Sequence, residues 1–292
     1  MIRTNETKLV EISVLGMVSH PEKSRPYIVS SQGEIKVFPG TGGITYNKRV
    51  GDICIGLMAD HVEPGVSIKN IEKSPDGGSG YNMALNVLAC CGNEAIVITG
   101  DAKGKKGVVV GKHGGIEHVL VDFPPNVMDK LVIGDKIQIR AIGAGLELID
   151  FPMIKVMNIS PKLLKAMMIK ETKRGLKIGV THIIPAKIMG SGLGRDDAHS
   201  GDYDIQLFDK QIVKEYHLED LRFGDLVAIC DADSSYGRIY KTGAMTIGII
   251  VHSDCYISGH GPGVTTLLTT STRGIITPFI NKKANIANLL KL

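Results

Sequence analysis

Tryptophan is absent from this 292-residue chain, and 6 Phe and 8 Tyr are all the aromatic material it carries. That leaves little from which to build a base-stacking platform for nucleic acid. Charge of one sign is lacking too. With 34 Lys and Arg against 30 Asp and Glu, the formal net charge is only +4, so long-range attraction to a polyanion is weak and nucleic acid is not an expected partner. No apolar run is long enough to span a bilayer, and the opening MIRTNETKLVEISVL is too mixed in polarity for a signal peptide; a soluble, cytoplasmic protein with no membrane partner is expected. The five cysteines (Cys54, Cys90, Cys91, Cys230, Cys255) are odd in number, and the adjacent Cys90 and Cys91 lack the two-residue gap of metal or redox pairs, so reduced, mostly buried thiols are expected. A Gly-x-Ser-x-Gly elbow, a zinc-protease helix and a phosphate loop are all missing.

Glycine, by contrast, is plentiful: 35 glycines with 12 prolines imply many turns and hence many short strands. Strand-like runs bounded by Gly, Pro, Asn or Asp fill the first 150 residues: EISVLGMVS, RPYIVSS, EIKVFPG, DICIGLMADHV, EAIVITG, KGVVVGKHG, HVLVDF and DKIQIRAIG. The spacing predicts a mainly β (β-rich α+β) fold of barrel-like or sandwich domains with few helices. Residues 1–150 read as a β-barrel-like domain whose one helix, SGYNMALNVLACCGN, is capped by Ser79, ended by Gly92 and plugs the core. Residues 151–292 read as a second β-rich domain. It opens after IDFPMIKVMNI with SPKLLKAMMIKETKRG, a helix with Ser160 at its cap, Pro161 in its first turn and Gly175 after its end.

Gly-Asp precedes an apolar run three times, at 51, 134 and 224. Such a pair turns the chain into a strand: Gly takes a left-handed backbone and Asp accepts amide hydrogen bonds. That chemistry explains the recurrence without an internal duplication.

Candidate chemistry gathers at loop ends. In VHSDCYISGHGPGVTT, strand alternation puts His252 and Asp254 on one face, with His260 in the glycine-rich turn beyond, whose backbone amides can approach an anion. In GSGLGRDDAHSGDYD, Asp196, Asp197, His199, Asp202 and Asp204 crowd beside Arg195, a density that repels itself unless solvated or neutralised by a cation. His61 and Glu63 share a face at the end of one Gly-Asp segment, Asp231 and Asp233 at the end of another, and each pair could serve as acid and base or as ligands. The divalent-metal set is therefore Asp202, Asp204, Asp231, Asp233, His252 and Asp254, with His61, Glu63 and His260 as proton carriers. For any one of these residues, a turn cap or a hydrogen-bonded structural histidine is the competing explanation.

Through ADHVEPGVS, SGYNMALN, GDAKGKKGVVVGKHGG, CDADSSYGR and VHSDCYISGHGPGVTT, in that order, the chain resembles a bacterial family catalogued as a domain of unknown function. The resemblance spans nearly all of the chain and implies a two-part, β-rich fold, without an assigned activity. A partial resemblance joins SGDYDIQ and LRFGDLVAICDADS to the acetamidase and formamidase family of metal-dependent amide hydrolases; it puts Asp204 on that family's aspartate and Asp231 and Asp233 near its acidic pair. Val227 and Ser234 depart from the histidine and glutamate of that pattern. VITGDAKGKKGVVVGKHGG is similar to the KOW motif of ribosomal and transcription-factor barrels, which implies a basic edge of Lys103, Lys105, Lys106 and Lys112.

Two readings stand open. One is an intracellular enzyme, a metal-assisted hydrolase or lyase acting on a small polar metabolite. The other is a non-catalytic β-barrel module docking on RNA or a protein partner. Exposed edge strands that can pair between subunits make a homo-oligomer the expected assembly.

Overall fold

The computed structural model describes residues 2–292. Strand residues outnumber helical ones, 35% to 13%, and six strands close into a barrel, as the turn spacing predicts. The barrel strands are β1 (Ile12–Val18), β2 (Gly65–Lys69), β3 (Glu94–Val97), β4 (Lys106–His113), β5 (His118–Asp122) and β6 (Lys136–Ala141). They run in the order β1-β6-β3-β4-β5-β2, every pair antiparallel, and β1 meets β2 again through Met17–Lys69 and Val18–Ile68 to seal the cylinder. Inward residues such as Val66, Ile68, Val109, Val121, Ile137 and Ile139 fill it. The helix α1 (Gly80–Leu88) sends Leu85 into this core and turns Asn82 and Asn86 to the Glu117 carbonyl.

The second half is built on a sheet of β7 (Lys155–Val156), β8 (His182–Ile184), β9 (Tyr203–Asp204), β10 (Leu226–Asp233), β11 (Ile239–Ile250) and β12 (Gly263–Thr270). Its order is β7-β12-β11-β10-β8, with β9 also paired to β12. One face shares a hydrophobic core with the outside of the barrel, where Val110 and Leu120 join Ile247, Ile249, Val251 and Leu267. Polar contacts fix the docking: the Lys112 amide donates to Thr265 Oγ1 at 3.3 Å, and that hydroxyl donates back to the Lys112 carbonyl at 2.9 Å. The other face of the sheet covers a third core around Tyr203, Val227 and Phe223.

All three Gly-Asp turns form as expected. Gly51, Gly134 and Gly224 have φ of 96°, 92° and 79°. Asp52, Asp135 and Asp225 each accept the amide of the residue three before, Arg49, Val132 and Arg222, at 2.9 to 3.0 Å. Three local expectations fail. The helix predicted over 160–175 keeps its Ser160 cap and Pro161 start but ends at Ala166, because Ile169–Thr172 pairs as a strand with Gly175–Val180 and brings Ile169 against the shared core. DICIGLMADHV forms no strand; a single bridge, Ile53 to Arg222, is all the pairing it makes, and β2 follows it instead. Ser79 makes no side-chain cap on α1. All five thiols are unpaired, and among the described residues no helix is long and apolar enough to cross a membrane.

Candidate metal centre

Where the β4–β5 hairpin meets the second sheet, imidazoles and carboxylates from distant parts of the chain converge. The hairpin tip supplies His113 and His118, which face each other across the ladder. Ahead of β2, His61 takes a left-handed backbone, φ 52°, and Glu63 follows on the barrel side. Asp202 and Asp204 flank the inward Tyr203, so alternation along this short strand aims both carboxylates one way. His252 lies just beyond β11 and His260 in the turn before β12.

Two close backbone approaches bring these segments together. Gly114 at the hairpin tip abuts Gly201, and its amide donates to Asp202 Oδ1 at 2.7 Å. Gly263 lies against the site from behind: a Cβ there would come within 1.8 Å of Asp202 Oδ2 and 2.3 Å of His252 Nε2.

Each inner imidazole is tethered through one nitrogen and offers the other. His113 Nδ1 is 2.6 Å from Glu63 Oε1, His61 Nδ1 is 2.9 Å from Asp60 Oδ1, and His252 Nδ1 is 2.9 Å from the Ser253 carbonyl. This is how metal-binding histidines are held, since a carboxylate or carbonyl on one nitrogen fixes tautomer and ring orientation. Glu63 is itself buried and saturated, accepting from Gly42 N at 2.7 Å, from Ser67 Oγ, and from His118 Nδ1 at 3.0 Å. Burial alone would raise its pKa, but the His118 and His113 imidazoles outweigh burial and hold it well below the usual carboxylate range.

The free ring nitrogens meet carboxylate oxygens. One group is His113, Asp202 and His252, with all ligand atoms within 4.8 Å of one another; a second is His61, Asp204 and His260. His252 Nε2 and Asp202 Oδ2 are buried 2.8 Å apart, within ion-pair distance, yet neither makes a well-formed hydrogen bond. Two ligands about 2.1 Å from one ion stand about 3.0 Å apart in octahedral and about 3.4 Å apart in tetrahedral geometry. Asp204 joins the groups, with Oδ1 3.5 Å from His252 Nε2 and Oδ2 3.1 Å from His260 Nδ1. His61 Nε2 and His260 Nδ1 are 3.1 Å apart.

Electrostatics match this crowding. Burial disfavours charge on His61, but its bonds to Asp204 and Asp60 win and raise its pKa to about 12. Burial likewise opposes His252, and Asp202 and Asp204 carry it to about 10. Both carboxyls are in turn held below their ordinary value despite burial, chiefly by His252. Without a cation, the acidic groups keep protons on His61 and His252; a divalent ion would compete with those protons.

Of the sequence-predicted residues, His61, Glu63, Asp202, Asp204, His252 and His260 come together here. Asp231, Asp233 and Asp254 do not. Asp231 sits in a bulge with φ 54° and accepts from Gly243 N at 2.7 Å, while Asp233 accepts from Ser235 N at 2.9 Å; both bond within their own hairpin. Asp254 shares no face with His252, because the strand has ended at Ile250, and it accepts from Gly56 N at 2.8 Å instead. His113 was legible only as part of KGVVVGKHG, a hairpin with a basic edge, and nothing in the sequence tied it to Asp202. Lys112, expected on that edge, is wholly buried. Its ammonium donates to Asn158 Oδ1 at 2.7 Å and to the His199 carbonyl at 2.9 Å, tying the barrel to the acidic loop.

Above the ligands opens a cavity of about 270 Å³ lined by His61, His113, Asp202, Asp204, His260 and Arg238. It shares His61, His113, Gly114 and Gly115 with a neighbouring cavity of about 640 Å³ that reaches Lys23, Arg25 and Lys69.

No curated protein matches the chain, and the likeness to acetamidase and formamidase is not shown. Its residues explain why: Asp231 and Asp233, the proposed acidic pair, stand outside the cluster that contains Asp204. The crystal structure of TM1086 is similar throughout, with 45% sequence identity, a TM-score of 0.92 and 98% of each chain covered. The description "Domain of unknown function (DUF4438), N-terminal" matches residues 27–165, and its C-terminal counterpart matches residues 166–290. The chain belongs to the DUF4438 family, whose N- and C-terminal parts together span it from residue 27 to residue 290.

Proposed function

We propose that this protein is a cytoplasmic metal-dependent hydrolase acting on a small polar molecule. The observation that carries the reading is the buried pair His252 Nε2 and Asp202 Oδ2, within ion-pair distance at 2.8 Å but without a well-formed hydrogen bond, and joined by His113. Buried polar atoms nearly always make well-formed hydrogen bonds, and an ion shared by these two atoms would account for their close approach without one. In this reading His113, Asp202 and His252 hold the ion, with Asp204 Oδ1 beside them. A divalent ion supplies a Lewis acid that polarises a carbonyl and acidifies water at neutral pH.

The outer residues manage the proton. Asp60 holds His61 by Nδ1, and His61 Nε2 lies 3.1 Å from His260 Nδ1, which is also 3.1 Å from Asp204 Oδ2. His260 has 36% of its side chain exposed, against 13% for His61, so the pair leads from the buried ligands to the cavity mouth. General acid–base transfer by a positioned imidazole is a common contribution to such hydrolysis. Glu63 contributes by orienting His113 rather than by exchanging protons with a substrate, since it is buried beneath two imidazoles.

The test is elemental analysis of the purified full chain, repeated on the double variant His113→Ala with His252→Ala. Stoichiometric divalent metal in the parent and loss in the variant are expected. Equal metal content in both would overturn the assignment.

A further inference from the structure

Arg238 lines the same cavity and is itself only 2% exposed. A guanidinium carries five donors and stays charged, so a buried one is ordinarily paired with a carboxylate. Among the described residues the only hydrogen bond from the side chain is a long one, Nη2 to the Ser200 carbonyl at 3.3 Å, and Nε has no partner. No carboxylate lies within 4 Å among the described residues. The ring of Tyr203 lies beneath it at 5.3 Å, a contact that fixes the plane of the group without neutralising it.

The surrounding chain adds a second cation. Arg238 N donates to the Arg195 carbonyl at 2.8 Å, and Gly194 N donates to the Arg238 carbonyl at 2.7 Å, which clamps the two segments together. Arg195, exposed, lines the same cavity. Burial and the neighbouring Arg195 both work against the charge on Arg238, while Asp202 and Asp197 favour it. Asp202 is the very carboxylate that an ion between His113 and His252 would engage.

Resting on the hydrolase reading, we propose that the substrate carries an oxyanion group, a carboxylate or phosphate, which Arg238 grips from one wall of the cavity while Arg195 closes over it from the rim. A planar fork of donors matches such a group in a bidentate manner. The bond to be cleaved then lies between that anchor and the imidazole–carboxylate cluster, inside a cavity of about 270 Å³, which suits a small organic anion.

Calorimetric titration of the metal-loaded full chain with inorganic phosphate and, separately, with malonate tests this. At least one of the two probes is expected to bind, and the one that binds names the anion class. Arg238→Ala should weaken that probe at least tenfold with the metal content unchanged, and Arg238→Lys should recover part of the loss. Arg195→Ala, at an exposed position that does not threaten folding, should weaken it a few-fold. If neither probe binds, or if all three variants bind as the parent does with their metal in place, the inference falls and the metal assignment stands. If the parent holds no metal, the hydrolase reading fails, and the same titrations on the protein as purified still decide whether Arg238 and Arg195 form an anion site.

Discussion

Gly263→Ala tests the geometry of the proposed centre without touching any ligand. The added Cβ would lie 1.8 Å from Asp202 Oδ2 and 2.3 Å from His252 Nε2, whereas real Cβ atoms essentially never approach within 3.0 Å of such neighbours. Relief therefore requires the Asp202 carboxylate to retreat by about 1.2 Å (3.0 less 1.8) and the imidazole by about 0.7 Å (3.0 less 2.3), or the backbone to shift. Ligand distances at metal sites tolerate only about 0.2 Å. The atoms in the way are side-chain ends, so the fold should absorb the change at about 1–3 kcal/mol, as overpacked sites do. Metal affinity should fall at least about 100-fold, beyond the 10–100-fold typical when only an orienting partner is lost. The assay is metal content after dialysis against buffered metal concentrations, with urea unfolding in parallel. Gly259→Ala is the control: its Cβ meets nothing within 4 Å, and its φ of 82° predicts a strain cost of about 1–2 kcal/mol with metal retained. Full occupancy in Gly263→Ala, or equal metal loss in Gly259→Ala, would refute the reasoning.

Three further outcomes follow from individual contacts. Glu63→Gln keeps the shape but replaces an acceptor shared by His113, His118, Ser67 and Gly42 with a group that also donates; metal affinity should drop about 10–100-fold by the same dialysis assay. Lys112→Met would strand the Val87 and His199 carbonyls and Asn158 Oδ1; because a buried charge is removed at the same time, a net loss of about 2–3 kcal/mol is expected in urea unfolding, and a change under about 0.5 kcal/mol would contradict the clamp. His182 is pushed below its ordinary value of 6.5 by burial, with Asp220 opposing. The unfolded chain then binds the extra proton more readily, so this contribution is complete above pH 6.5 and is lost as pH falls below it. On going from pH 7.5 to 5.5 the parent should lose more stability, or gain less, than His182→Gln; the same pH dependence in both would refute it.

Much of the architecture was legible because it is local. Gly51, Gly134 and Gly224 each take the left-handed turn that a following Asp stabilises, and short runs such as KGVVVGKHG and HVLVDF pair as strands because alternation and turn residues leave them no better state. Local signals failed where pairing overrode propensity. KETKRG carries good helix formers, yet Ile169–Thr172 is drawn into a strand by Gly175–Val180 and the core beneath it.

The sequence by itself determined the chemistry on offer: His61, Glu63, Asp202, Asp204, His252 and His260 were identifiable because acids and imidazoles crowded at glycine-rich loop ends need solvent, a proton or a cation. Only the tertiary structure decided which of them meet. A bulge at Cys230 and Ala232 turns Asp231 into its own hairpin, and the end of a strand at Ile250 sends Asp254 away from His252, distinctions of one backbone angle that strand alternation cannot foresee. His113 joined the site through docking of the barrel hairpin on the second sheet, a contact between residues about 90 apart in sequence (Gly114 and Asp202), and Arg238 entered through the clamp with Arg195. Proximity of that kind is set by packing of the two halves, where burial of shared apolar surface fixes the approach and the polar groups at its edge are carried into register.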